Sequence, residues 1–117
     1  MKAYTDLPQS KKLAEILPLE SADMWFANGL IVAKTSKEPN DIKGVFPCWS
    51  LAALLEAIPK CIDDYNIFRM DINDIDTSMW YDKIGYGVCN ELPDITIKEP
   101  VDACVAMIEK LHEQNIL

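Results

Sequence analysis

Asn28-Gly29 stands between two apolar, β-rich runs in "SADMWFANGLIVAKT". A two-residue type I′ turn needs positive φ at both central positions, and Asn-Gly supplies it at the lowest steric cost. The pair therefore predicts a tight hairpin with strands at about 22–27 and 30–35. Two strands joined this closely are antiparallel neighbours.

The rest of the chain fits an antiparallel plan. In "TDLPQSKKLAEILP", Asp6 and Gln9 have capping-box spacing, Pro8 falls in the first turn, and Leu13, Ile16 and Leu17 make an apolar stripe before Pro18. A first helix is predicted over about 7–17. Residues 36–46, "SKEPNDIKGVF", read as a loop. A second helix is predicted over about 49–58, with Leu51, Leu54, Leu55 and Ile58 at helical spacing, Leu54 and Leu55 expected in the core, and Pro59 as its stop. "YNIFRMDIND" alternates, with Ile67, Arg69, Asp71 and Asn73 on one side and Phe68, Met70 and Ile72 on the other. "DIDTS" is a turn, "MWYDKIGYGV" a second strand, and "DITIK" a shorter third. A last helix runs from Glu99-Pro100 to about Gln114, burying Val101, Cys104, Val105, Ile108 and Leu111. The order α-ββ-α-ββ(β)-α predicts an α+β fold. We expect one two-layer domain over residues 1–117, with an antiparallel sheet of four or five strands packed against about three helices.

Charge narrows the partners. Nineteen acidic residues against eleven basic ones give −8, and the only arginine is Arg69. A phosphate backbone or an anionic bilayer calls for clustered Lys and Arg, so direct binding to nucleic acid or membrane is not expected. No apolar stretch is long enough for a membrane span, and "MKAYTDLPQSKK" has no apolar signal region. A cytoplasmic setting is expected, with Cys48, Cys61, Cys89 and Cys104 reduced.

Cys48 is the sharpest chemical candidate. "PCWSLAALLEAIPKC" places it beside a tryptophan and just before a helical run, where free N–H groups and the helix dipole lower a thiol pKa. Papain-like cysteine proteases place a Cys-Trp pair at a similar point, but the likeness stops there. Pro47 replaces a glycine, and Ile42 stands where that family has its oxyanion glutamine. The one histidine, His112, shares a helix face with Cys104 at about 12 Å by helical rise, too far for a dyad. Cys48 is expected to be a small buried hydrophobe, and a cysteine hydrolase using it ranks last.

Metal and cofactor signals are weaker. No close cysteine pair exists for zinc. "DINDIDTS" resembles a calcium loop only in part: counted from Asp74, Met79 occupies the glycine position and Gly85 the final glutamate position. The glycines of "GYG" at 85–87 precede no helix and read as a bulge or close contact. Ser50 reads as a helix-start residue. No cofactor and no metal are expected.

The aromatics remain. Trp25 and Phe26 are neighbours on a strand, as are Trp80 and Tyr81, so each pair divides between the two sheet faces. If helices cover one face, the other exposes one ring of each pair. These four are the expected protein-contact residues, for an unknown protein partner or for self-association.

Three blocks carry a wider resemblance: "MKAYTDLPQSKKLAEILPLESADMWF", "CWSLAALLEAIPK" and "DACVAMIEKLHEQNIL". Together they resemble a family of short uncharacterised bacterial proteins carried on prophages and related mobile elements. The resemblance implies a bacterial cytoplasmic setting and an accessory role, and it assigns no activity to any residue. The leading expectation is a non-enzymatic accessory protein that binds another protein. The alternative is an acidic inhibitor that mimics nucleic acid for a DNA-binding or host-defence protein.

Overall fold

A computed structural model describes residues 2–27, 30–33, 45–63, 65–83 and 92–117. Helix α1, Leu7–Ala14, starts on the capping box. The Asp6 carboxylate accepts the Gln9 N–H at 2.8 Å, and Gln9 Oε1 accepts the Asp6 N–H at 3.0 Å. Both bonds satisfy donors that a helix start would leave orphaned. Leu13 and Leu17 are buried, the second through a turn that continues past the helix, with the Leu17 N–H donating to the Leu13 carbonyl.

Strands β1, Met24–Ala27, and β2, Leu30–Ala33, pair antiparallel in the register a two-residue hairpin requires, Ala27 opposite Leu30. The Asn28-Gly29 turn itself lies outside the described residues. A further strand, β3, Val45–Cys48, pairs with the other edge of β1, Phe26 opposite Phe46. The loop expected over 36–46 falls outside the described residues up to 44, and its end is strand. Pro47 fits there because β3 is an edge strand, where a missing ladder donor is tolerated.

Ser50 caps α2, Leu51–Ala57, its hydroxyl accepting the Ala53 N–H at 3.2 Å. Then follow β4, Cys61–Ile62, β5, Asn66–Ile72, β6, Thr77–Lys83, and β7, Ile95–Ile97. They form a second antiparallel sheet in the order β4-β5-β6-β7. The "GYG" bulge expectation and the end of "MWYDKIGYGV" lie outside the described residues. Helix α3, Pro100–Glu113, begins with its proline in the first turn, where no N–H is missed. It ends on a left-handed Asn115, φ 59°. The Ile116 N–H reaches the Leu111 carbonyl at 2.9 Å and the Asn115 N–H that of His112 at 3.0 Å, which closes the last turn as a Schellman motif.

The α+β class is as expected, but the strands divide into two sheets, order β2-β1-β3 and β4-β5-β6-β7, where one was expected. The helices therefore do not share one sheet. Helix α1 packs by β3, α3 packs on β6 and β7, and α2 packs on α3. The reason lies at the junction. Tyr4 bridges Ser50, the Thr5 N–H donates to the Trp49 carbonyl, and the Leu51 N–H donates to the Ala3 carbonyl. The N-terminal segment thus runs alongside the chain where β3 leads into α2, and the next strands build a separate sheet.

One apolar cluster joins both halves. Leu13, Trp49, Leu54, Met79 and Ile95 meet Val101, Cys104, Val105, Ile108 and Leu111 of α3. Leu55, expected in the core, is only partly buried, because α2 turns Leu54 and Ile58 inward. Burying large aliphatic side chains contributes about 1.5–3 kcal/mol each, so α3 supplies a large share of the stabilisation.

Candidate functional site

The structure moves Cys48 away from the helix N-terminus. It is the last residue of β3, two residues before the Ser50 cap, and it is fully buried. Its thiol lies 3.5 Å from the Thr5 carbonyl and 3.6 Å from Thr5 Oγ1. The same hydroxyl lies 2.7 Å from Ser10 Oγ and accepts the Trp49 N–H at 3.2 Å. Burial pushes the thiol up, hydrogen bonds with Thr5 and Ser10 offset part of the rise, and the Asp23 charge adds to it. A neutral, enclosed thiol is a poor nucleophile. His112 sits exposed near the end of α3, its Nδ1 2.8 Å from the Leu117 carbonyl oxygen. Trp49 is also fully buried and donates its indole N–H to Ser21 Oγ at 2.9 Å. Ser50 is held by Asp23, whose carboxylate takes both its N–H and its hydroxyl. The whole arrangement is a pinned junction.

Other chemistry-bearing groups are likewise engaged in holding chain segments together. Lys2 Nζ reaches Asp102 at 2.8 Å, Asp6 at 3.1 Å and Gln9 at 3.2 Å, and Gln9 also donates to Asp102. Partial burial pushes the Asp102 carboxyl up, but the Lys2 and Gln9 hydrogen bonds and the Lys2 charge outweigh it and hold the carboxyl low. Lys60, whose ammonium burial pulls down, bonds the Leu55 and Ile58 carbonyls at the end of α2. Burial pushes the Cys104 thiol up to about 12, with Lys60 opposing. In "DINDIDTS", Asn73 Oδ1 accepts the Ile75 and Asp76 N–H groups, closing the β5–β6 hairpin. Among the described residues, no three His, Cys, Asp or Glu side chains converge as a metal site would require.

The four aromatics separate as strand alternation dictates. Trp25 is buried. Phe26, its neighbour, is partly exposed, meets Tyr4 edge-on at 6.5 Å, and stands opposite Phe46, over which Lys11 Nζ lies at 5.0 Å. Tyr81 turns to the helix-covered face of the second sheet. It donates its hydroxyl to the Pro59 carbonyl at 2.7 Å, packs edge-on against Phe68 at 5.6 Å, and is pushed up by burial. Trp80 points the other way.

The register lays out that other face as rows. Cys61 stands opposite Ile67 and Ile67 opposite Asp82; next comes Arg69 opposite Trp80; then Asp71 opposite Ser78 and Ser78 opposite Thr96. None of these eight residues is fully buried. Trp80 donates its indole N–H to Asp82 Oδ1 at 2.8 Å, and Arg69 Nε lies 3.4 Å from Asp82 Oδ2. One carboxylate thus contacts both an indole and a guanidinium on the face that, among the described residues, holds no fully buried side chain. The alternation of 67, 69 and 71 placed Arg69 on this face, but no local signal paired it with Trp80 and Asp82.

No helix among the described residues is long and apolar enough to cross a membrane. Compared with family models, with curated proteins and with solved structures, the chain matches none.

Proposed function

We propose that this chain is a non-enzymatic binding protein that engages another protein through the open face of the β4–β7 sheet, centred on Trp80. The observation that carries the reading is the Trp80–Asp82–Arg69 group, in which one half-exposed carboxylate contacts both the indole and the guanidinium. Trp and Arg are the residue types that dominate interface energetics, and fixing them beforehand reduces the ordering cost of association. Arg69 interrupts the carboxylates of this face, which suits a protein partner better than mimicry of a phosphate backbone. A bacterial cytoplasmic setting and an accessory role in a mobile element are part of this proposal.

Size argues against a large stable interface through this face alone, whether with a second copy or with another protein. β5 and β6 have seven residues each, β7 three and β4 two, so the face is roughly 20 Å at its longest and narrows at both edges. Its area is well under the ~800 Å² per partner of a standard interface. A transient contact, or one that recruits neighbouring surface, fits better.

The test is to isolate a partner from the native host by affinity purification, identify it by mass spectrometry, purify it, and measure its affinity for the parent chain and for Trp80→Ala and Arg69→Ala. Each variant should bind at least about tenfold more weakly. Equal affinity in both would refute the open face as the docking surface.

A further inference from the structure

At the closed end of the β5–β6 hairpin, two large aliphatic side chains face solvent. Ile75 is 78% exposed and Ile72 is 45% exposed. Between this tip and the N-terminal end of α3 lies a notch of about 230 Å³, lined by Ile72, Asp74, Ile75, Lys98, Glu99 and Pro100 with Asn73. The tip is well ordered by its own bonds: Asn73 Oδ1 accepts the Ile75 N–H at 2.8 Å and the Asp76 N–H at 3.0 Å, and the Asn73 N–H donates to the Asp76 carbonyl at 3.0 Å. Glu99 receives the Lys2 backbone N–H at 3.0 Å, which fixes the far wall.

We infer that this notch takes a short apolar segment of a partner protein flanked by lysine or arginine. The volume suits one or two aliphatic side chains, and Ile72 and Ile75 supply an apolar lining of low ordering cost. The charge around it selects the flanks. Asp74 and Glu99 line the notch against Lys98, and Asp76 follows Ile75 in the chain, while Lys2, whose backbone N–H donates to Glu99, has its ammonium engaged by Asp102, Asp6 and Gln9. A second copy of this chain would bring its own −8 against that rim, and an anionic membrane or nucleic acid would be repelled in the same way. The inference rests on the reading of the chain as a protein-binding module.

The experiment titrates the ¹⁵N-labelled full chain with a capped peptide of alternating leucine and lysine, and separately with its leucine–glutamate counterpart. Only the lysine peptide should shift the amides of Ile72 to Asp76 and of Glu99, and it should do so saturably. Ile75→Ser should weaken that binding about tenfold or more, with the thermal midpoint kept. Ile75→Thr, which retains β-branching, serves as the second variant if the serine lowers the midpoint. Trp80→Ala should bind the peptide as the parent does, so that failure of the notch and failure of the open face are read separately. Overturning results are no saturable binding, equal binding of the glutamate peptide, shifts spread over the whole acidic surface, or Ile75 variants that bind as tightly as the parent.

Discussion

Trp49 and Trp80 are both tryptophans whose indole N–H is bonded, and they sit in opposite kinds of place. Trp49 is fully buried, and its partners come from far away in sequence: Ser21 for the indole and Thr5 for the backbone N–H. Trp80 lies on an open sheet face, and its indole partner, Asp82, is two residues further along the same strand. Strand alternation alone puts positions 80 and 82 on one face. The first ring depends on the tertiary fold and stabilises it. The second is positioned by a single hairpin and needs no covering layer. A side chain fixed so locally can be spared for binding, because little of the fold depends on it.

That contrast can be tested at three magnitudes. The largest effect should be in thiol reactivity. Cys48 and Cys104 are fully buried, whereas Cys61 is exposed at the margin of the Trp80 face. Alkylation of a buried thiol waits on opening of the fold, so iodoacetamide followed by peptide mapping should label Cys61 more than ~100-fold faster than either. The raised Cys48 and Cys104 thiols deepen the difference at neutral pH. Cys48 labelling as fast as Cys61 at pH 6 would mean that the junction is open and its thiol activated. Next in size, Trp49→Ala should lower unfolding free energy by about 3–5 kcal/mol in urea, through the cavity it leaves. A loss under ~1 kcal/mol would remove Trp49 from the core. The smallest effect should be that of Trp80→Ala on the same measurement, about 1 kcal/mol or less, the range of a cross-strand pair. A loss as large as that of Trp49 would show that the open face is part of the fold's own packing.

What the sequence made legible follows the same division between local and distant causes. The α1 capping box, the β1–β2 register and the apolar stripe of α3 are set by residues close together in the chain, and each is found in the structure; the β5 alternation holds for Phe68 and Met70 but not for Ile72, which is exposed at the hairpin end. Strand β3 was missed because "VFPC" has no strand signature of its own. It exists through pairing with β1, some twenty residues earlier. β4 is two residues long and carries no period to read. Separation into two sheets was hidden for the same reason, since which strands pair is decided by contacts distant in sequence. At the candidate surface, alternation correctly divided Trp80 from Tyr81 and put Arg69 on the outward side. That Arg69 stands directly opposite Trp80 depends on the inter-strand register, which hairpin geometry sets and composition does not. The Cys48 environment was partly legible: burial was expected, but its place at the end of a strand was not.

The Lys2 contacts span 97 to 100 positions of sequence, to Glu99 and Asp102 at the start of α3. The same helix covers Trp49, Leu54 and Met79 in the common core. During synthesis, then, the earlier halves of that core have no lid. From the appearance of Leu54 to that of Leu111, at about 5–20 residues per second, the ribosome leaves their apolar surfaces uncovered for roughly 3 to 11 s. A core closed by α3 only after its other walls are made leaves those walls exposed on the nascent chain, and a ribosome stalled before residue 100 would hold a chain without the Lys2–Asp102 latch.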